Sequence, residues 1–294
     1  MDLAGVFAAI TTPFVDDELS LENLERNIQM WLISPLNGFV ALGTTGEFAS
    51  LTFEERLQVI TRSVEAAEGR PVIAGTGCPS TLETVALTLA AAERGAQAAL
   101  VVPPYYHWEA MNDAALYEHY TAVADAAPVP VILYNFPAAA RVTLTPDLVA
   151  ELAVHPNIIG MKDSSSDLAR FGEHLARTPD DFALMTGSSS LLLPAMVMGA
   201  AGGILALANV APWECCELYE LVRDGKMEEA AALQRRLTRV TEKVGGEYGI
   251  PGIKALMAML GYFGGAPRTP MLAIDDADLD DIRMTLKEVR MLGC

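Results

Sequence analysis

Residues 129–164 read VPVILYNFPAAARVTLTPDLVAELAVHPNIIGMKDS and contain the repeating element of the fold. Two short apolar runs, 129–134 and 158–161, flank a segment with the features of a helix start. There Thr145 supplies an N-cap and Pro146 stands at the first helical position. The apolar runs are continuous instead of alternating, which is typical of parallel strands that are buried on both faces. This stretch therefore predicts one strand–helix–strand unit.

Apolar runs of this kind recur along the chain, separated by helical patterns. We predict eight strands, at residues 5–10, 38–42, 71–74, 98–102, 129–134, 158–161, 182–186 and 203–206. Eight strands that alternate with helices over short connections indicate an α/β fold, the (β/α)8 TIM barrel. A doubly wound sheet is the alternative, but such a sheet usually has fewer strands and a glycine-rich phosphate turn. The chain contains no GxGxxG pattern.

The chain continues for about 85 residues after the last predicted strand, which is more than a bare barrel needs. We predict helices in this segment at residues 212–223, 226–244, 253–262 and 276–291. We therefore expect a catalytic barrel over residues 1–224. Residues 225–294 are expected to form a C-terminal helical extension that packs on the barrel.

The composition excludes several classes of protein. Of the 294 residues 51% are hydrophobic, enough for a large core, and the net charge of −18 argues against nucleic acid or an anionic membrane as partner. The sequence has no run of eighteen apolar residues, so no membrane span is predicted. The N-terminal segment has no basic or cleavable leader pattern, and we therefore expect a cytoplasmic protein. We expect free thiols in a reducing compartment at Cys78, Cys215, Cys216 and Cys294.

The active site of a barrel lies at the carboxyl ends of its strands. Those positions carry a lysine, tyrosines and hydroxyls, at residues 43–47, 103–106, 134–135, 162–164, 186–188 and 204–209. A metal site needs convergent His, Cys, Asp or Glu side chains, so we expect no metal. A serine hydrolase would need a base and a GxSxG turn, and the sequence offers neither at these positions.

Lys162 is the only lysine among the first 225 residues, and it stands at the end of an apolar strand. Partial desolvation favours the neutral amine, which can attack a ketone and form an imine. The hydroxyl of Tyr134 can then transfer the protons that carbon–carbon chemistry requires. Two other interpretations stay open from the local sequence, a salt bridge between Lys162 and Asp163 and a packing role for Tyr134.

Residues 43–46, Gly-Thr-Thr-Gly, follow the second predicted strand. Backbone N–H groups and hydroxyls in such a turn can form a nest for an anion, and the carboxylate of a 2-oxo acid suits it. The alternative is a tight turn with no ligand. We expect a small 2-oxo acid as substrate and no cofactor.

These motifs resemble the dihydrodipicolinate synthase/N-acetylneuraminate lyase superfamily of class I pyruvate aldolases. The resemblance runs nearly end to end, with motifs at residues 11–14, 43–47, 104–106, 134–137, 160–164 and 206–209. Within the superfamily, residues 155–164, 206–210 and 248–254 are most similar to 4-hydroxy-2-oxoglutarate aldolase.

The resemblance implies Lys162 as the imine-forming lysine and Tyr134 as the proton shuttle. It implies that Thr44 and Thr45 hold the carboxylate and that Thr45 also relays protons. Tyr106 would complete the relay from a neighbouring subunit of a homotetramer, a dimer of dimers. The other predicted substrate-binding residues are Ser164, Gly187, Ile204 and Arg141.

One position departs from the pattern of dihydrodipicolinate synthases. Those enzymes carry an arginine two residues after the proline of the Tyr-Asn-x-Pro motif, and this chain has Ala139 there. Arg141 follows two places later, and its direction, inward or toward solvent, is open. On this ground we expect dihydrodipicolinate synthesis to be the less favoured function.

The sequence thus leads us to expect a class I aldolase that reversibly cleaves 4-hydroxy-2-oxoglutarate to pyruvate and glyoxylate. An aldolase or dehydratase acting on a 2-keto-3-deoxy sugar acid is the alternative. The side chains of Ala138, Ala139 and Ala140 offer no donors to a hydroxyl-rich substrate, which favours a short acceptor. A non-enzymatic binding protein is a third class, but it would be expected to have lost the lysine or the tyrosine.

Overall fold

The computed structural model describes residues 1–288, and eight parallel strands in this range close into a barrel. The strands are β1 (Gly5–Ala9), β2 (Gly38–Ala41), β3 (Val72–Gly75), β4 (Ala98–Val101), β5 (Val131–Asn135), β6 (Ile158–Asp163), β7 (Ala183–Thr186) and β8 (Gly202–Leu205). Each strand pairs with its neighbours in sequence, and β8 closes on β1. The predicted TIM barrel is confirmed.

Helices surround the barrel and connect its strands. They are α1 (Leu21–Leu32), α2 (Phe53–Ala66), α3 (Thr81–Glu93), α4 (Asp113–Ala126), α5 (Pro137–Ala140), α6 (Pro146–Leu152), α7 (Leu168–Arg177) and α8 (Leu192–Met198). The Thr145 side chain accepts from Leu148 N at the start of α6, which confirms the predicted N-cap, and the Thr52 side chain accepts from Glu55 N at the start of α2.

The strand bounds agree with the predicted ones to within two residues, and the largest differences lie in β5 and β6. β5 begins only at Val131, because Pro130 has no N–H group to donate to a neighbouring strand. β6 continues to Asp163, so that Lys162 is part of the strand and not of the loop after it. This extension places Lys162 in register with residues of both neighbouring strands.

The C-terminal segment is helical but differs in detail from the prediction. It contains α9 (Pro212–Arg223), α10 (Met227–Val240), a π-helix (Thr241–Glu247), α11 (Gly249–Met259) and α12 (Asp276–Glu288). The helix predicted over residues 226–244 is thus α-helical only as far as Val240. From Thr241 the chain continues as a π-helix, whose turns are wider, and this segment contains two glycines, which restrict the backbone less than other residues do. The last residues of the helix predicted over 276–291 lie outside the described range.

The extension packs on the barrel through an apolar core. One hydrophobic cluster includes Trp31 of α1 and Leu57 of α2, and it also includes Leu237 of α10 and Leu256 of α11. These side chains are at most 6% exposed. The division at residue 224 stays a prediction, because this core joins both sides of it.

The thiols of Cys78, Cys215 and Cys216 are free and buried, as expected, and Cys294 lies outside the described residues. No helix among residues 1–288 is long and apolar enough to cross a membrane. In the same part of the chain, no three His, Cys, Asp or Glu side chains are grouped so that they could hold a metal ion.

Two buried histidines make the stability of the fold depend on pH. His119 on α4 is 4% exposed and His174 on α7 is fully buried. Burial lowers the pKa of each from 6.5 to about 4. The unfolded chain therefore binds more protons than the folded chain below pH 6.5, and stability is lost as the pH falls from 6.5 to about 4.

We predict that His174→Leu reduces this acid sensitivity. The difference in unfolding free energy between pH 7 and pH 5, measured in urea, should be smaller in the variant by roughly 1–2 kcal/mol. The exposed residue His107 provides the control, since His107→Gln should leave the difference unchanged. An identical pH dependence in His174→Leu and wild type would contradict this account.

Candidate active site

Lys162 and Tyr134 lie side by side inside the barrel, near the carboxyl ends of their strands. They are register partners in β6 and β5, so their side chains leave the sheet on the same face. Lys162 is 4% exposed and Tyr134 is 5% exposed. The Lys162 Nζ atom lies 4.2 Å from the centroid of the Tyr134 ring. The structure therefore brings together the amine and the phenol that the sequence singled out.

The suggested salt bridge between Lys162 and Asp163 is absent from the described residues. Consecutive residues of a strand face opposite sides of the sheet, so the two side chains point apart. The Asp163 carboxylate instead accepts from the backbone N of Ser165 at 2.6 Å and from Asn135 Nδ2 at 3.3 Å. The amine of Lys162 is thus left for another partner.

Asp163 and Asn135 hold the ends of β6 and β5 together, a role that the sequence analysis missed. Burial raises the pKa of Asp163, although hydrogen bonds from Ser165 and Asn135 oppose the shift. The Asp163 carbonyl accepts from Gly187 N at 2.6 Å, and Asn135 Oδ1 accepts from Leu144 N at 3.0 Å. The sequence does contain a signal for this role, because Asn135 directly follows Tyr134 and Asp163 directly follows Lys162 at the ends of their strands.

Gly187, after β7, lies against Lys162 and Ser164. A Cβ atom at this position would lie 1.9 Å from Ser164 Oγ and 2.8 Å from Lys162 Cε. Only glycine therefore leaves room for the two side chains as they stand. The structure brings these three predicted residues together, and their roles toward a substrate stay predictions.

The turn over residues 43–47 approaches Tyr134 from β2. Thr44 Oγ1 lies 3.5 Å from Tyr134 Oη, and the half-buried Thr45 follows in the same turn. The turn is closed internally, because Gly46 N donates to the Gly43 carbonyl and Glu47 N donates to the Thr44 carbonyl, each at 3.0 Å. Two N–H groups of the expected anion nest are therefore already used, and the turn still contains the hydroxyls and the backbone N–H groups of Thr44 and Thr45.

Three other predicted residues lie at different depths. Ile204 in β8 is fully buried and belongs to the barrel-interior cluster that contains Tyr134. Tyr106 is 74% exposed, with its ring edge-on to His107, and its expected place in a neighbouring subunit stays a prediction. The exposed Arg141 has its guanidinium 5.9 Å from the centroid of the Trp108 ring.

Asn209 supports the rim on the side of β8 and β1, and the sequence analysis quoted it only within a motif. Its Nδ2 donates to the carbonyls of Ala9 and Ala206 at 2.7 Å, and its Oδ1 accepts from Thr11 N at 3.2 Å. The side chain is fully buried. One side-chain amide thus holds together the carboxyl ends of two adjacent strands, β1 and β8.

A buried amine beside a phenol at the carboxyl ends of the strands suits the imine chemistry of a carbon–carbon lyase. The model of the Dihydrodipicolinate synthetase family matches residues 2–289, and the chain belongs to this family. The superfamily that the motifs indicated is therefore confirmed.

Relatives of known name and structure match over nearly the full length. A 4-hydroxy-tetrahydrodipicolinate synthase from Methanoculleus marisnigri is 38% identical over 287 residues, 96% of this chain and 98% of the relative. The structure of dihydrodipicolinate synthase from Aquifex aeolicus is 34% identical, with a TM-score of 0.94 over 98% of this chain and 99% of that chain. The chloride-inhibited synthase from Acinetobacter baumannii, complexed with pyruvate, is 32% identical, with a TM-score of 0.94 over 99% of this chain and 100% of that chain.

These names show that the expected cleavage of 4-hydroxy-2-oxoglutarate is wrong, and so is the closest resemblance to that aldolase. Relatives 38% and 35% identical over the whole chain are named 4-hydroxy-tetrahydrodipicolinate synthase. The error came from Ala139, at which an arginine was expected, and from the resemblance that was assigned to residues 155–164, 206–210 and 248–254. The structure shows a cation close by, since Arg141 ends α5 in the left-handed region at φ 56° and lies beside Trp108.

We predict that the Tyr134 hydroxyl carries protons and that Tyr134→Phe lowers kcat by roughly 100- to 10,000-fold, because a positioned acid–base group is lost. The ring remains, so the melting temperature should change little. Steady-state kinetics at saturating substrate and thermal unfolding check both statements.

Tyr120 offers a matched control, because it is a fully buried tyrosine on α4 whose hydroxyl donates to the Val101 carbonyl at 3.2 Å. Tyr120→Phe should lose roughly 1 kcal/mol of stability and keep its kcat. A Tyr134→Phe enzyme within tenfold of wild type would show that a different group moves the proton.

Proposed function

We propose that this protein joins pyruvate to an aldehyde that carries its own carboxylate, through an imine on Lys162. The reaction is that of a 4-hydroxy-tetrahydrodipicolinate synthase, with aspartate semialdehyde as the aldehyde. The observation that carries the proposal is the buried amine of Lys162 beside the Tyr134 ring at the carboxyl end of the barrel. The names of full-length relatives support the choice of reaction.

The chemistry begins when the Lys162 amine adds to the ketone carbon of pyruvate and water leaves. The positive nitrogen of the resulting iminium makes the methyl protons acidic, a base removes one of them, and an enamine forms. The enamine carbon attacks the aldehyde carbon, a carbon–carbon bond forms, and the new alkoxide takes up a proton. The amine of the aldehyde substrate then attacks the imine carbon, which frees Lys162 and closes the product ring.

Tyr134 is placed to move these protons. Its ring lies against Lys162 Nζ, and its hydroxyl lies 3.5 Å from Thr44 Oγ1. A chain of hydroxyls from Tyr134 through Thr44 toward solvent can carry away the proton that leaves the methyl carbon of the imine and return one to the alkoxide. Thr45 and the Tyr106 of a second copy extend this proposed relay.

The pyruvate carboxylate is bound, in this proposal, by the hydroxyls of Thr44 and Thr45. The net charge of −18 gives the protein no long-range attraction for an anion, so local donors must hold it. Gly187 lies against both Ser164 and Lys162, where a Cβ atom would collide with their side chains. Pyruvate fits these constraints.

Arg141 is the proposed partner for the second carboxylate. It is exposed near the aromatic loop that carries Tyr106 and Trp108, and its guanidinium lies 5.9 Å from the Trp108 ring. An arginine binds a carboxylate with two parallel hydrogen bonds and is therefore suited to this task. The role assigned to position 139 in the synthases would here belong to a residue two places later.

We predict that borohydride traps pyruvate on Lys162. Wild-type protein treated with pyruvate and borohydride should give a reduced adduct on the peptide containing Lys162, read by mass spectrometry, and Lys162→Ala should give no adduct and no turnover. Lys226, an exposed lysine, provides the control, because Lys226→Ala should be trapped as wild type is. An adduct on any other lysine, or turnover in Lys162→Ala, would overturn the mechanism.

We predict that Arg141→Ala raises the KM for aspartate semialdehyde by roughly 30-fold, the equivalent of roughly 2 kcal/mol for a hydrogen-bonded charge. The pyruvate dependence of imine trapping should not change, because Thr44 and Thr45 bind that carboxylate. Arg283→Ala, an exposed arginine on α12, serves as the control.

The same assay tests the substrate itself. Pyruvate is offered with aspartate semialdehyde, glyoxylate or glyceraldehyde, and the first aldehyde should show the highest kcat/KM in wild type. A higher kcat/KM with either of the others would refute the proposed substrate while leaving the imine mechanism intact. An unchanged KM in Arg141→Ala would remove Arg141 from the site.

A further inference from the structure

A buried ion pair joins the C-terminal extension to the 43–47 turn. Lys254 of α11 contacts the carboxylate of Glu47 through Nζ and Oε1, and the two side chains are 1% and 0% exposed. Removing two charges from water costs more free energy than the attraction within most ion pairs provides. Apolar residues of similar size often stabilise a core at least as well. A pair at this depth therefore calls for a role besides stability.

The second oxygen of the same carboxylate is also used. Glu47 Oε2 accepts from Arg268 N at 2.8 Å, and Lys254 Nζ donates to the Ala266 carbonyl at 3.1 Å. Gly264 passes so close to α11 that a Cβ atom would lie 1.9 Å from the Lys254 carbonyl. The segment after α11 is thus fixed to Glu47 and to Lys254 together.

Further contacts hold this segment against the loops that follow β1 and β2. The Arg268 guanidinium binds both carboxylate oxygens of Glu55, at 2.9 and 2.8 Å, and donates to the Ser50 carbonyl at 3.0 Å. The ring of Phe14 lies between the two cations, 4.6 Å from Lys254 Nζ and 4.4 Å from the Arg268 guanidinium carbon. The contacts of Glu47 are therefore part of a packed, charged cluster.

Glu47 also controls the backbone of the turn. Its φ of 55° is in the left-handed region, which is unfavourable for a residue with a side chain and persists only when the surroundings enforce it. Its N–H closes the turn on the Thr44 carbonyl, and the Thr12 hydroxyl donates to the Gly46 carbonyl at 2.6 Å. An anchored Glu47 side chain therefore fixes the direction of Thr44 and Thr45.

We propose that Glu47 and Lys254 are positioning residues for the carboxylate site: the C-terminal extension holds the 43–47 turn so that the Thr44 and Thr45 hydroxyls meet the carboxylate of the imine. The inference rests on the proposed function, because it assigns that carboxylate to these threonines. Neither Glu47 nor Lys254 touches the substrate in this arrangement. Their effect should therefore reach pyruvate binding and the proton transfers through Thr44 and Thr45, without any contact to the substrate.

The double variant Glu47→Gln/Lys254→Met tests this role without leaving an isolated buried charge. Borohydride trapping at increasing pyruvate concentrations measures the half-saturating concentration for imine formation. We expect this concentration to rise roughly tenfold or more, since small displacements of positioning groups have effects of this size. The kcat at saturating pyruvate should fall as well, because Thr44 and Thr45 also belong to the proposed proton relay, whereas Lys162 should still be trapped completely at saturating pyruvate.

Lys243→Met is the matched control. Lys243 also lies in the C-terminal extension and forms ion pairs with Asp281 and Glu247, but it does not contact the 43–47 turn. The variant loses a charged contact by the same substitution and should keep the wild-type pyruvate dependence. A rise as large as that of the double variant would show a general effect of loosening the extension and would overturn the proposal.

Glu47→Asp provides a second variant in case the double variant does not fold. It keeps the charge but shortens the side chain by one methylene, so the carboxylate cannot reach both Lys254 and Arg268 N. A raised half-saturating concentration in this folded variant supports the proposal, and a wild-type value overturns it. The proposed function and the positioning role can be refuted separately. If wild type traps no pyruvate on Lys162, the proposed function is wrong. If trapping occurs and its dependence on pyruvate concentration is the same in the variants as in wild type, only the positioning role is wrong.

Discussion

Closure of eight parallel strands into a barrel is the constraint on which the site depends. All strands run in one direction, so every carboxyl end arrives at the same rim, and inward side chains of adjacent strands become neighbours. This geometry places Lys162 beside Tyr134, since they are register partners in β6 and β5. The same alternation turns Asp163 away from Lys162 and into hydrogen bonds with Asn135 and Ser165.

Buried polar side chains at the rim give the site its shape. Asn135 joins β5 to β6 through the carboxylate of Asp163 and also accepts from Leu144 N. Asn209 joins β1 to β8 through backbone groups at their ends. The pair of Glu47 and Lys254 fixes the turn after β2 in the same way, but from the C-terminal extension. Burying such polar groups costs free energy unless each of them has a hydrogen-bond partner. An arrangement of the loops that supplies these partners is therefore favoured over the others.

The residue at position 139 alone does not determine which reaction the protein catalyses. Ala139 argued against a dihydrodipicolinate synthase because an aldehyde carboxylate needs a cation. The full-length relatives named 4-hydroxy-tetrahydrodipicolinate synthase contradict that conclusion. In the structure Arg141 stands two residues later, at the left-handed end of α5 and close to Trp108. A loop can supply the same charge from a neighbouring position, because a substrate responds to where the charge lies and not to its place in the sequence.

The sequence by itself determined the barrel, the bounds of its strands to within two residues, and the place of Lys162 and Tyr134 at the ends of neighbouring strands. These features depend on local periodicity and on strands that are neighbours both in the chain and in space, so they can be predicted from short stretches. Only the tertiary structure decided that Gly46 and Glu47 use their N–H groups within the turn and that Glu47 is bound to the segment after α11. Glu47 and Arg268 are 221 residues apart in the sequence, and no local pattern indicates that a carboxylate at a strand end will meet a backbone N–H group at that distance along the chain. Such contacts arise from the packing of the helical extension on the closed barrel, and they exist only once both parts have folded.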